Sequence, residues 1–121
     1  MKYHHLYADS AGESHWRQVA IALEERVFAP PAKGIRVSDG ESVSSLMFLT
    51  LPAGWNEPVH PTPQKQALIC LAGSVRATAS DGEIRDIGPG DVWLMDDLTG
   101  KGHHTEVTSA CDFNAAIVQY G

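Results

Sequence analysis

From residue 35 onward, Gly, Asp or Pro breaks each apolar run before it could complete a helix of ordinary length. "IRVS", "SVSSLMFLTLP" and "QALICLAG" are short, rich in β-branched or other apolar residues, and bounded by turn formers. In "SVRATASDGEIRDIGPGDVWLM", Asp81-Gly82 is a two-residue hairpin signal between strands at 75–79 and 83–87. "GPGD" at 88–91 is a second turn, where Pro presets φ and Gly allows left-handed geometry. "HHTEVTS" and "DFNAAIVQY" complete the series. About seven short strands in so compact a chain predict an all-β sandwich or barrel.

A length of 121 residues suffices for one domain with a real core and is too short to expect two. The hydrophobic content of 43% and charged content of 20% are those of an ordinary folded globular chain. The segment 14–28 reads two ways. Trp16, Val19, Ala20, Leu23 and Val27 make a helical stripe, while Val19, Ile21 and Leu23 equally fit strand alternation. Because every other segment is strand-like, an edge strand over 15–21 followed by a turn is expected. "APPAKG" at 29–34 is a rigid connector, since each Pro removes a ladder donor. Residues 1–34 are therefore expected as a strand-and-connector extension packed on a single domain spanning 1–121.

The net charge of -6, the pI near 5.4 and nine scattered basic residues argue against a nucleic-acid surface, which needs clustered Lys and Arg. No run approaches the roughly 20 apolar residues that span a bilayer, so no membrane partner is expected. The opening "MKYHHLYADSAGESHW" lacks the apolar core of a signal peptide, and a cytoplasmic protein is expected. In a reducing compartment Cys70 and Cys111 are expected as two buried thiols. His4 and His5 read as surface residues near a terminus, His15 as a surface strand position, and Trp93 and Met95 as core. The chain has no GxSxG elbow, P-loop, Rossmann glycine pattern or HExxH, which removes serine hydrolases, nucleotide-phosphate enzymes and zincins.

One spacing stands out. Gly54, five residues, His60, one residue, Thr62, three residues, Gln66, six residues, Gly73 resembles the first motif of the cupin superfamily. "DGEIRDIGPGDVWLM" followed by His103 is similar to the approach to the second. The two regions cover 54–107, nearly half of the chain. The resemblance implies a cupin-type β-barrel, a double-stranded β-helix or jelly roll. It also implies a superfamily that includes dioxygenases, isomerases, epimerases, decarboxylases, lyases and non-catalytic binders. Thr62 stands where the family usually has its second His, and Gln66 where it has Glu. "DDLTGKGHH" replaces the usual Pro-x-Gly-x-x-His and resembles a version found in a subset of small single-domain bacterial cupins.

By the resemblance, a divalent metal (Fe, Mn, Ni or Zn) would be held by His60, Gln66 and His103. Strand alternation brings the same three inward: His60 with Thr62, Gln66, Leu68 and Cys70, and His103 with Thr105 and Val107. This donor set carries no formal negative charge, and an amide oxygen is a poor ligand, so a metal-free polar pocket is the favoured reading. Gly100 and Gly102 let the backbone turn around Lys101, within a loop that also carries Asp96, Asp97, His103 and His104. With that loop at the barrel mouth, Lys101 and His104 are the candidate catalytic groups, handling substrate charge or protons. Trp55, Thr62, Asp96 and Asp97 are the candidate substrate contacts, and Glu57 could border the mouth. The plain alternative is a solvated loop in which Lys101 pairs with Asp96 or Asp97. Expected overall is an enzyme acting on a small organic acid or sugar-like molecule, of isomerase, lyase or oxygenase type, by metal-assisted or acid/base chemistry. The alternatives are a metal-free binding module and a protein used mainly for association, with homodimerisation through sheet edges expected.

Overall fold

The computed structural model describes residues 1–27 and 29–121, and among them the chain forms eleven strands and no helix. These are β1 (Lys2–Ala8), β2 (Ser14–Ala20), β3 (Glu24–Arg26), β4 (Ile35–Val37), β5 (Ser45–Leu51), β6 (Gln66–Ala72), β7 (Val75–Ala79), β8 (Ile84–Ile87), β9 (Val92–Asp96), β10 (His103–Val107) and β11 (Phe113–Gln119). A six-stranded sheet runs β2-β1-β9-β6-β11-β5, a three-stranded sheet runs β10-β7-β8, and β3 pairs with β4 alone. All pairings are antiparallel except β1 on β9. The sheets do not close on one another by strand pairing, and the arrangement is that of a jelly roll.

A single apolar cluster joins the two larger sheets. Leu6, Trp16, Leu68, Cys70, Trp93, Met95, Phe113, Ala115 and Ile117 come from one; Val75, Ala77, Ala79, Ile87 and Val107 come from the other. The period-2 rule accounts for which residues enter it. In β6, Leu68 and Cys70 face the cluster, and Ala67, Ile69 and Leu71 face outward. In β10, His103, Thr105 and Val107 are buried while His104 and Glu106 are half-buried. Asp81-Gly82 lies in the turn between β7 and β8 as expected, but with the register Val75↔Ile87 to Thr78↔Ile84 and Ala79 N–H donating to the Glu83 carbonyl the loop is longer than the expected two residues.

The N-terminal region differs from expectation. β2 is the edge strand anticipated over 15–21, shifted by one residue, and Phe28 at the end of that ambiguous segment lies outside the described residues. β1 was not anticipated, yet it lies between β2 and β9 within the main sheet. His5 is consequently buried at 6% exposure, its Nε2 3.0 Å from Asp96 Oδ2 and its Nδ1 accepting from Arg17 Nε at 2.8 Å. His4 is half-buried edge-on to Trp16. Two adjacent histidines mask the strand alternation, because only Leu6 marks the inner face as apolar. Cys70 is buried as expected, but Cys111 is exposed.

The β1–β2 turn is fastened by charge. His15 lies 2.7 Å from Asp9 Oδ2 and 2.8 Å from Asp81 Oδ2, which ties this turn to the β7–β8 turn. The hydrogen bonds to Asp9 and then to Asp81 hold the His15 pKa above its ordinary 6.5. A raised folded-state value means the stabilisation is fully present below the unfolded value and is lost as pH rises through the folded one. As pH rises above the ordinary histidine value of 6.5, wild type is expected to lose its stability advantage over His15→Gln, measured by urea midpoints. An advantage that grows with pH would refute the clamp.

Candidate functional site

The segment after Gly54 lies alongside β10 as an added strand, with isolated bridges Asn56↔Glu106 and His60↔His103. The backbones of His60 and His103 exchange both hydrogen bonds, at 3.1 and 3.0 Å, and their rings stand 5.5 Å apart. The two histidines expected to meet therefore do so. Their chemical situations are opposite.

His103 is fully buried. Its Nδ1 lies 2.6 Å from Asp97 Oδ2, and both side chains have zero exposure. The other Asp97 oxygen accepts from the Thr62 hydroxyl at 2.6 Å, while the Thr62 backbone N–H donates to the Asp97 carbonyl at 3.0 Å. A carboxylate accepting on both oxygens places a hydrogen on Nδ1 of His103. That leaves Nε2 as the free atom, and it has no protein partner. The His103 ring also meets Trp93 edge-on at 5.3 Å, so the buried dyad sits against aromatic surface.

His60 is the exposed neighbour, with 42% of its side chain accessible. Its Nδ1 lies 2.7 Å from the Pro61 carbonyl and its Nε2 lies 2.6 Å from Glu57 Oε2. Both nitrogens thus face acceptors, which favours the doubly protonated ring. The Pro61 carbonyl and then Glu57 hold its pKa above the ordinary value.

A metal ligand must be a neutral imidazole offering a lone pair. Among the expected ligands, only Nε2 of His103 is without a partner. Both nitrogens of His60 already face acceptors, and the Thr62 hydroxyl donates to Asp97. Gln66 donates to Met95 Sδ at 3.5 Å and accepts from Gln119 Nε2 at 3.2 Å. Among the described residues no three His, Cys, Asp or Glu side chains are grouped to hold a metal ion. The set His60, Gln66 and His103 does not fit a divalent metal in this arrangement.

The 96–104 loop is divided between three places. Asp97 goes inward, whereas Asp96 pairs with His5 on the outer sheet face. His104 points away from His60 and bonds Asn56 Oδ1 at 2.6 Å. Lys101 reaches neither Asp96 nor Asp97: its Nζ lies 2.8 Å from Glu13 Oε2, with 66% of the side chain exposed. Its backbone N–H donates to Gly12 at 2.8 Å. The flanking glycines serve close approach. A Cβ on Gly100 would lie 2.2 Å from the Gly12 carbonyl oxygen, and one on Gly102 would lie 2.1 Å from the His60 carbonyl carbon. Trp55 is half-buried and packs on the central cluster. Asp97, Thr62, His103 and His60 are thus brought together; Lys101, His104 and Asp96 are not. Glu57 acquires a larger part than its position promised. Continuing the inward series Trp93, Met95 by two residues would have placed Asp97 inside.

No family model and no curated protein sequence matches this chain. Its structure is similar to those of several solved proteins, among them the following three. A predicted oxalate decarboxylase from Thermotoga maritima is 20% identical over 83% of this chain and 92% of that one, with a TM-score of 0.52. The DMSP lyase DddQ from Ruegeria pomeroyi is 24% identical over 74% of this chain, with a TM-score of 0.52; the chain spans only 43% of that protein. The cupin domain of Cnp3 from Schizosaccharomyces pombe is 13% identical over 88% of this chain and 72% of that one, with a TM-score of 0.53. At these identities the likeness is one of fold: this chain is built as a cupin barrel.

Proposed function

We propose that this protein is a cupin-fold enzyme that moves a proton on a small organic acid or sugar-like molecule, with His103 as the base. The reading rests on one observation: a buried imidazole oriented by Asp97 through Nδ1, with Nε2 free. Asp97 fixes the ring and stabilises the imidazolium formed when Nε2 takes a proton. The step begins with a C–H bond beside a carbonyl. The proton passes to Nε2, and the bonding pair forms an enolate with charge on the carbonyl oxygen. Where the ionised carbon bears a hydroxyl, its O–H proton passes to the enolate oxygen and the proton on Nε2 returns to the former carbonyl carbon as the new carbonyl forms, which is isomerisation. Where the next carbon on the other side bears a leaving group, re-formation of the carbonyl expels that group with its bonding pair, which is elimination. His60, whose pKa the Pro61 carbonyl and then Glu57 raise, stands beside the dyad with its Nε2 2.6 Å from the Glu57 carboxylate. The lyase name carried by one protein of this fold accords with such chemistry, as the name of that protein.

The test is proton exchange. Small 2-oxo and 2-hydroxy acids and sugar derivatives are incubated with chelator-treated protein in heavy water and followed by NMR. Loss of a C–H signal for at least one compound is expected, slowed by His103→Gln on the order of 10²-fold or more. Exchange that is absent throughout, or that His103→Gln leaves unchanged, refutes the reading. Stabilisation by the same compounds without exchange favours the binding module.

We also propose association through the outer face of the six-stranded sheet. There Leu46, Leu71 and Phe48 are 60%, 56% and 72% exposed, an apolar surface unusual for an isolated chain. Light scattering should give twice the chain mass, reduced to one by Phe48→Glu.

A further inference from the structure

Two indoles inside the barrel are unexplained as core filling. Trp16 on β2 and Trp93 on β9 are 6% and 1% exposed, and neither Nε1 has a protein partner. Phenylalanine would supply similar apolar surface without leaving an unmet donor, which costs roughly 1–3 kcal/mol when buried. The third buried side-chain polar atom without a partner among the described residues is Nε2 of His103. These three groups are contiguous. Trp16 and Trp93 stand 5.5 Å apart by ring centroids, and Trp93 and His103 stand 5.3 Å apart. They come from strands of the two opposed sheets, and all belong to the inner faces.

Together they leave two donors and one acceptor without protein partners in a low-dielectric interior. The complementary molecule offers oxygen acceptors towards the indoles and an acidic hydrogen towards the imidazole. A small carboxylic acid bearing a 2-hydroxy or 2-oxo group has both within a few bonds. Neutral indole donors are suited to an oxygen whose negative charge grows during reaction, because preorganised N–H groups in a water-excluded site need no rearrangement. We infer that the Nε1–H groups of Trp16 and Trp93 bind the substrate oxygens, selecting small 2-oxygenated carboxylates. This rests on the proton-transfer reading for its reaction, though its binding arm stands separately.

The test uses full-length protein with 15N-labelled indoles, titrated with sodium glycolate and sodium pyruvate, and with propanol as an uncharged control. The indole signals of Trp16 and Trp93 should move downfield together and saturably with at least one carboxylate, and that of Trp55 should stay. Propanol should move neither. Trp93→Phe and Trp16→Phe, both keeping the aromatic ring, should each weaken binding about tenfold, the loss of one charge-assisted hydrogen bond. Indoles that ignore both acids, or Phe variants that bind them as wild type does, overturn the inference. Stationary indoles with isotope exchange intact refute only this inference. Shifting indoles with no exchange support it and refute only the proton-transfer reading.

Discussion

Asp97→Ala is expected to remove about 3–5 kcal/mol of stability, among the largest effects of any single substitution in this chain. The carboxylate is fully buried and accepts from both Thr62 and His103, each at 2.6 Å. Alanine strands the Thr62 hydroxyl and the His103 Nδ1–H without partners, in addition to leaving a cavity. Urea unfolding measures this loss directly. Asp97→Asn separates shape from charge, because it keeps the volume. With its amide oxygen still facing Thr62, its NH₂ faces Nδ1 of His103 and forces the hydrogen onto Nε2. Stability then falls by less than in Asp97→Ala, while proton exchange falls by up to as much as in His103→Gln, on the order of 10²-fold, because the base presents the wrong tautomer. A stable Asp97→Asn protein with undiminished exchange would show that Asp97 does not orient His103.

The second large effect is expected at Gly102. Its φ is +77°, and an added Cβ would lie within 2.4 Å of the His60 carbonyl carbon and oxygen and of Pro61 N. Backbone on backbone cannot be relieved by rotating a side chain. Gly102→Ala should therefore cost about 4 kcal/mol, combining the left-handed strain with overpacking. Gly82→Ala is the control: its φ is +93°, but nothing lies within 4 Å of the new carbon, so strain alone of about 1 kcal/mol is expected. Equal losses at the two positions would mean that the approach of the loop to His60 contributes nothing. Because Gly102 precedes His103 and touches His60, its substitution should also part the two histidine backbones.

These two positions also show how far the sequence could be read. The hairpin through Asp81-Gly82 and the inward series Leu68, Cys70 and His103, Thr105, Val107 followed from local pattern, since period-2 alternation operates within a strand. Gly100 and Gly102 read as freedom to turn around Lys101. Their other purpose, approach to Gly12 and His60, depends on segments far away in sequence. Asp97 read as a substrate contact at the mouth, or as a partner of Lys101 in a solvated charged loop, because a carboxylate is expected in water unless it has partners. Its partner Thr62 lies 35 residues earlier, and only the fold brings the two together. Lys101 likewise found Glu13, not its acidic neighbours in the loop. The unpaired indoles were invisible for a related reason: Trp in a strand reads as core, and no local pattern tells whether its N–H is satisfied.

The central claim is that His103 is a neutral imidazole with its hydrogen on Nδ1, beside a His60 that holds hydrogens on both nitrogens. Long-range ¹H–¹⁵N correlation of the imidazoles measures this without a substrate. In chelator-treated protein, below the raised pKa of His60, the expected spectrum shows His103 as the Nδ1–H tautomer with a bare Nε2, and His60 doubly protonated. One equivalent of zinc should leave both patterns in place. A His103 signal of the Nε2–H tautomer, or zinc shifting His60 and His103 nitrogens together, would contradict the claim.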